Sequence, residues 1–159
     1  ALGPDGPLVR VRRDGDGWTA PEDLTARYGV TGAYPSVTAA GDLLVYRNAG
    51  AAGDGVYRAR QIGEGFGPLE PLYVPASGTT FDAVAAGDGL LVTRCADETC
   101  AAGPANGVFA VDPPSGETRL LDALGYVWGV QPVAALGLLV FTDGDDIRAI
   151  PLAGGTLSP

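Results

Sequence analysis

The chain has 159 residues, ten of them Arg and none Lys, against 19 Asp and Glu, for a formal net charge of −9. A balance this acidic excludes nucleic acid and anionic membranes as partners, because both demand a basic footprint that displaces counterions. There is no His, so no imidazole base, no Ser-His-Asp triad and no His-ligated metal can be built from these residues.

Gly 25 and Pro 13 together approach a quarter of the chain, yet 46% of the residues are hydrophobic. Disorder needs low apolar content, so the glycines are read as turn residues of one folded domain spanning 1–159. The longest apolar stretch, Gly125 to Phe141, is broken by Gln131, Pro132 and further glycines, and predicts no membrane span. The first residue is Ala1 rather than Met, which fits a removed signal segment or a larger precursor.

In chain order, Leu8-Val9-Arg10-Val11-Arg12 alternates and predicts a half-buried strand, followed by a turn at Asp14-Gly15-Asp16-Gly17 and a closing strand from Trp18. The same pattern returns 48 residues later, from Val56-Tyr57-Arg58-Ala59-Arg60 to Phe66. Between them, Tyr34-Pro35-Ser36-Val37 opens a strand, Gly41-Asp42 turns, and Leu43-Leu44-Val45-Tyr46-Arg47 forms a second strand. That unit aligns without a gap on Phe81 to Arg94, 47 residues on, where the second strand is Leu90-Leu91-Val92. A third copy runs from Trp128 to Thr142, with one extra residue ahead of Leu138-Leu139-Val140-Phe141. Continuous apolar runs of this length predict strands buried on both faces. Later versions of the third and fourth strands are Gly107 to Leu121 and Asp146 to Gly155. No segment carries a convincing 3.6-residue period, so almost no helix is expected.

A four-stranded unit repeating about every 47 residues is the signature of a β-propeller blade. The fold expected is all-β, with about three and a half blades in repeat units 1–32 (a half blade), 33–79, 80–127 and 128–159. Closure of such a ring requires either a second copy or another chain.

Two constellations resemble metal loops. Asp14 to Gly17 and Asp143 to Asp146 are rich in carboxylates, but neither supplies the six to eight oxygens of a calcium site, and both read first as hairpin turns. No metal or other cofactor is expected. Carboxylate pairs drawn from Asp82, Asp88, Asp97 and Glu98 are the raw material of a glycosidase, but the sequence gives them no mutual geometry. No nucleophile elbow is present, and the chain is read as non-enzymatic.

Tyr34, Phe81 and Trp128 recur every 47 residues at the start of the first strand, beside connections of unequal length, Asn48–Asp54 and Ala96–Asn106. Loop variation gathered on one face marks a binding face. These aromatics either pack between blades or stack on a ligand, and Arg47 and Arg94, at equivalent positions, either bind an anion or cap the blade edge. Cys95 and Cys100, with four residues between them, read as a disulfide that staples a local loop in an oxidising compartment; the alternative is a pair of reduced thiols.

The stretch Gly17-Trp18-Thr19-Ala20-Pro21-Glu22-Asp23-Leu24, then Tyr34-Pro35-Ser36-Val37, Gly41 to Tyr46 and Gly55 to Arg60, resembles the TolB-type, tryptophan-aspartate-repeat-like β-propellers of bacterial envelope and secreted proteins. Thr38-Ala39-Ala40-Gly41 departs from that family's Ser-Pro-Asp-Gly turn. The resemblance implies a propeller located in the periplasm, at the cell surface or outside the cell. The function expected is a module that binds a protein or peptide through its loop-rich face. The alternatives are a carbohydrate-binding lectin using the same aromatics and an accessory segment of a larger hydrolase or peptidase.

Overall fold

The computed structural model describes residues 6–30, 35–47, 55–76, 78–87, 89–95, 106–112, 116–121, 127–143 and 146–152. Side chains of Arg47, Thr79, Phe81, Arg119, Leu121 and Trp128 lie outside that description. The described chain is all-β and antiparallel, with one helical turn, α1 (Thr25–Tyr28), and a 3₁₀ turn over Ala134–Leu136. Among the described residues no helix is long and apolar enough to cross a membrane.

Strands follow the sequence without crossovers. An N-terminal hairpin pairs β1 (Val9–Arg10) with β4 (Glu22–Asp23) and β2 (Arg13–Asp14) with β3 (Gly17–Trp18). The first sheet contains β5 (Ser36–Val37), β6 (Leu43–Arg47), β7 (Gly55–Ile62) and β8 (Gly65–Tyr73), in that spatial order. The second contains β9 (Thr79–Ala86), β10 (Gly89–Cys95), β11 (Gly107–Asp112) and β12 (Gly116–Leu121), again in sequence order. The third sheet has three described strands, β13 (Val127–Val133), β14 (Leu138–Asp143) and β15 (Asp146–Pro151).

The hairpin repeat reaches the level of individual pairs. In the N-terminal hairpin Val9 faces Asp23, Arg10 faces Glu22, Arg13 faces Trp18 and Asp14 faces Gly17. Shifted by 48, the same pairs are Tyr57 with Pro71, Arg58 with Glu70, Gln61 with Phe66 and Ile62 with Gly65. Both hairpins slip by one residue between the second and third of these pairs, so the bulge is repeated as well. Both turn on a left-handed glycine, Gly15 and Gly63, each at φ 58°.

Side-chain alternation sends the Leu-Leu-Val runs into two cores at once. Leu43 and Val45 join Leu8, Leu24, Tyr28 and Val30 in a core between the N-terminal hairpin and the first sheet. Leu44 and Val56 point the other way, against Ala83, Leu90, Val92, Phe109 and Val111 of the second sheet. Leu91 and Val108 turn in their turn toward Val127, Val130, Leu139 and Phe141 of the third. Each four-stranded sheet is thus sandwiched between neighbours. A close approach fixes one register point: a Cβ on Gly89 would stand 2.7 Å from the Val111 carbonyl oxygen, so this β10 position excludes any larger residue.

The third copy departs from the expected alignment. Leu139 and Phe141 take the places of Leu43 and Val45 and of Leu90 and Val92, whereas Leu138 points to the opposite face. The cause is local: β13 carries an irregularity between Trp128 and Gln131, and the turn to β14 is the 3₁₀ turn closed by Gly137 at φ 60°. A slip of one residue exchanges the faces of a strand.

Candidate functional site

Successive sheets meet along their first strands. Strand β9 lies against β5, β6 and β7, and β13 lies against β9 and β10. Two polar clamps fasten these contacts. Ser36 Oγ donates to the Ala83 carbonyl at 3.0 Å, and the Val130 N–H donates to Asp82 Oδ2 at 3.2 Å. Burial pushes the Asp82 carboxyl above its ordinary value, while hydrogen bonds from the Val130, Gly129 and Ala83 backbone pull it back. Asp82, a candidate glycosidase carboxylate from sequence, therefore serves as a bolt between sheets. Asp88, Asp97 and Glu98 lie outside the described residues.

Toward the outer strands the first and second sheets enclose a cleft of about 430 Å³, lined by Leu72, Tyr73, Pro75, Arg94, Val111 and Glu117. Arg94, at the end of β10, lays its guanidinium over the Phe109 ring at 4.2 Å. Its Nη1 donates to both Glu117 carboxylate oxygens at 2.9 Å and to the Tyr73 hydroxyl at 3.2 Å. The Tyr73 hydroxyl in turn donates to Glu117 Oε2. Burial, reinforced by that hydrogen bond to Glu117, pushes the Tyr73 hydroxyl up to about 12, with Arg94 opposing. The trio spans two sheets: Tyr73 comes from the first, Arg94 and Glu117 from the second. Its charges cancel within the cleft, and the neutral phenol holds its proton against any base working near neutral pH. The arrangement locks two sheets together and supplies no nucleophile.

A second cleft, of about 400 Å³, opens near the other end of the same interface, between Asp42 and Arg58 on one side and Ala85, Gly87 and Leu90 on the other. Arg58 Nε and Asp42 Oδ2 are 4.0 Å apart, and Asp42 Oδ1 accepts the Gln61 N–H at 2.9 Å. The repeated arginines of the hairpins are likewise occupied. Arg10 bonds Glu22 and stacks on Phe66 at 4.9 Å, Arg12 pairs with Glu64 at 2.8 Å, and Arg60 stands 3.9 Å from Glu70.

The remaining sequence candidates are placed as follows. Tyr34 lies outside the described residues, as does Cys100. Phe81 and Trp128 occupy the starts of β9 and β13, next to the ends of β10 and β14, and Arg47 ends β6; of these three only the backbone is described. Arg94 and Arg47 do hold equivalent strand-end positions, paired with Gly107 and Gly55. Cys95 is buried at the end of β10, where it pairs with Thr79 of β9. Asp14 to Gly17 is the tight turn joining β2 and β3. Among the described residues no group of three or more His, Cys, Asp or Glu gathers to hold a metal.

Sequence reasoning missed Tyr73 and Glu117. Neither belongs to a repeated motif, and the two meet Arg94 only because sheets distant in sequence pack together. Comparison with protein-family models, curated proteins and solved structures finds no match to this chain.

Proposed function

We propose that the described sheets are successive blades of a TolB-like β-propeller that binds a protein or peptide partner without catalysing a reaction. The observation that carries the reading is the placement of the connections. Links between second and third strands, residues 48–54, 96–106 and 144–145, all leave from the same end of their sheets and differ in length. At the opposite end, the joins between first and second strands stay short. A scaffold whose longest and most unequal connections gather at one rim is suited to recognition there. Radial rather than linear stacking is supported by the polar contacts that join first strand to first strand, Ser36 to Ala83 and Asp82 to Val130. The rim is also where Phe81 and Trp128 begin their strands.

An oxidising location, periplasmic or extracellular, goes with this reading. Its support is Cys95, buried at the rim with no free thiol among the described residues, and Cys100 five positions on is the only other cysteine. A bridge there would staple the longest rim connection.

The test places a photo-reactive residue within the sequence connections 48–54 or 96–106, at Ala52 or Ala102, or at Ala40 on the opposite end, and irradiates in a bacterial envelope extract. Adducts of one defined mass from the rim positions alone are expected. Adducts from Ala40 alone, or micromolar binding to simple sugars with no rim adduct, would refute protein recognition at the rim.

A further inference from the structure

Repeat equivalence makes one surface of the third sheet anomalous. Leu8, Val56 and Val108 hold one position in successive repeats: each starts a third strand and points toward the following sheet. All three are buried, with Val56 and Val108 at 0% exposure. The fourth member is Ile147, which pairs with Thr142 as Val108 pairs with Thr93 and Val56 with Tyr46. Ile147 is 81% exposed. Around it on the same face are Leu138, Val140 and Ala149, where Val140 is the counterpart of the buried Leu44 and Leu91. This is an interblade face that no described residue covers.

The opposite surface of the N-terminal hairpin is anomalous in the complementary sense. Val9, Val11 and Trp18 are the counterparts of Tyr57, Ala59 and Phe66, all of which belong to the core that the hairpin itself covers on the first sheet. Val9 is 44% exposed, Val11 49% and Trp18 71%. One end of the series therefore presents a forward-facing interblade surface, and the other presents a backward-facing one.

We infer that a second copy of this chain covers these faces. The Val9–Val11–Trp18 face of each copy packs on the Leu138–Val140–Ile147 face of the other, continuing the interface that already joins one sheet to the next. The pairing rests on the blade reading above. Because the two surfaces differ, each junction is head-to-tail, and two such junctions related by a twofold axis close a ring. The occupant has to be a sheet edge with an apolar, backward-facing surface, and this chain carries one.

Light scattering on the full chain after size exclusion tests the pairing. The expected mass is twice the 16.1 kDa of one chain. Ile147→Glu or Val11→Glu, each at an exposed position that tolerates charge in the single copy, buries an unpaired carboxylate at both junctions. Each is expected to weaken association at least about a hundredfold, with the far-UV spectrum unchanged. Mixing the two variants in equal amounts restores two-copy particles, because one junction then joins two unaltered faces. A wild-type particle of single-chain mass at tens of micromolar would overturn the proposal, as would failure of the mixture to associate. Open-ended growth beyond two copies would contradict closure. A single-chain mass with rim photo-adducts intact would sink the pairing and leave the binding module standing. A two-copy mass with no rim adduct would do the reverse.

Discussion

The equivalence of Val56, Val108 and Ile147 yields a graded stability test. Truncating a valine to alanine removes two carbons, which contribute about 1.6 kcal/mol of transfer free energy when fully buried. The void left, about 50 Å³, adds roughly 1 kcal/mol where the neighbours cannot collapse. Val56 and Val108 are both at 0% exposure in the cores on either side of the second sheet, so Val56→Ala and Val108→Ala are each expected to cost about 2–3 kcal/mol. Ile147→Ala removes three carbons from the matching position, but that side chain is 81% exposed, and the cost within one copy stays under about 0.5 kcal/mol. All three are compared in a Val11→Glu background, which removes self-association from the measurement. Urea unfolding followed by circular dichroism reads the differences. Thermal midpoints should fall by about 4–12 °C for the two buried positions and by about 1–2 °C for Ile147. An Ile147→Ala cost matching that of Val108→Ala, or a Val108→Ala cost below about 0.5 kcal/mol, would refute the equivalence and the faces drawn from it.

Four further outcomes follow from the polar contacts between sheets. Spectrophotometric titration of the phenols should show one tyrosine ionising near 12, absent in Tyr73→Phe and shifted back toward 10 in Glu117→Gln. Because the folded value lies above the unfolded value of 10, stability from this group is fully present below pH 10 and is lost as pH rises toward 12; a pH-independent unfolding midpoint across that window would contradict it. Asp82→Ala leaves the Val130 N–H without its acceptor and is expected to cost about 1–3 kcal/mol, more than Asp82→Asn, which keeps an oxygen there and sheds the buried charge. Equal losses in urea unfolding would refute that role. Arg94→Met, which leaves Glu117 with Tyr73 but without its cation and removes the contact over Phe109, should cost about 1–3 kcal/mol. An unchanged unfolding midpoint would show the trio to be ornamental.

What the sequence made legible was local. The hairpin repeat is read directly because strand, turn and closing strand lie within about twenty residues, and the 48-residue offset holds down to the bulge. Burial on both faces was also legible for the first two Leu-Leu-Val runs, since a strand with no polar residue has no solvent side; the third run buries only one face. The third copy escaped because leucine identity carries no parity. Matching Leu138 to Leu43 is chemically sound, and only the path through β13 and the 3₁₀ turn decides that Leu139 faces the second sheet. Arg94 was found as one of an equivalent pair, but its partners are set by packing between sheets, which no motif encodes. The exposure of Ile147 and Val11 is what identifies the two uncovered faces, and no sequence pattern encodes it.

Small-angle X-ray scattering of the native particle tests closure of the proposed ring most directly. Two copies closed into a compact ring should scatter with twice the mass of one chain and a radius of gyration of about 20 Å. A single-chain mass with a radius near 15 Å, or a two-copy particle extended to about 25 Å or more, would contradict it.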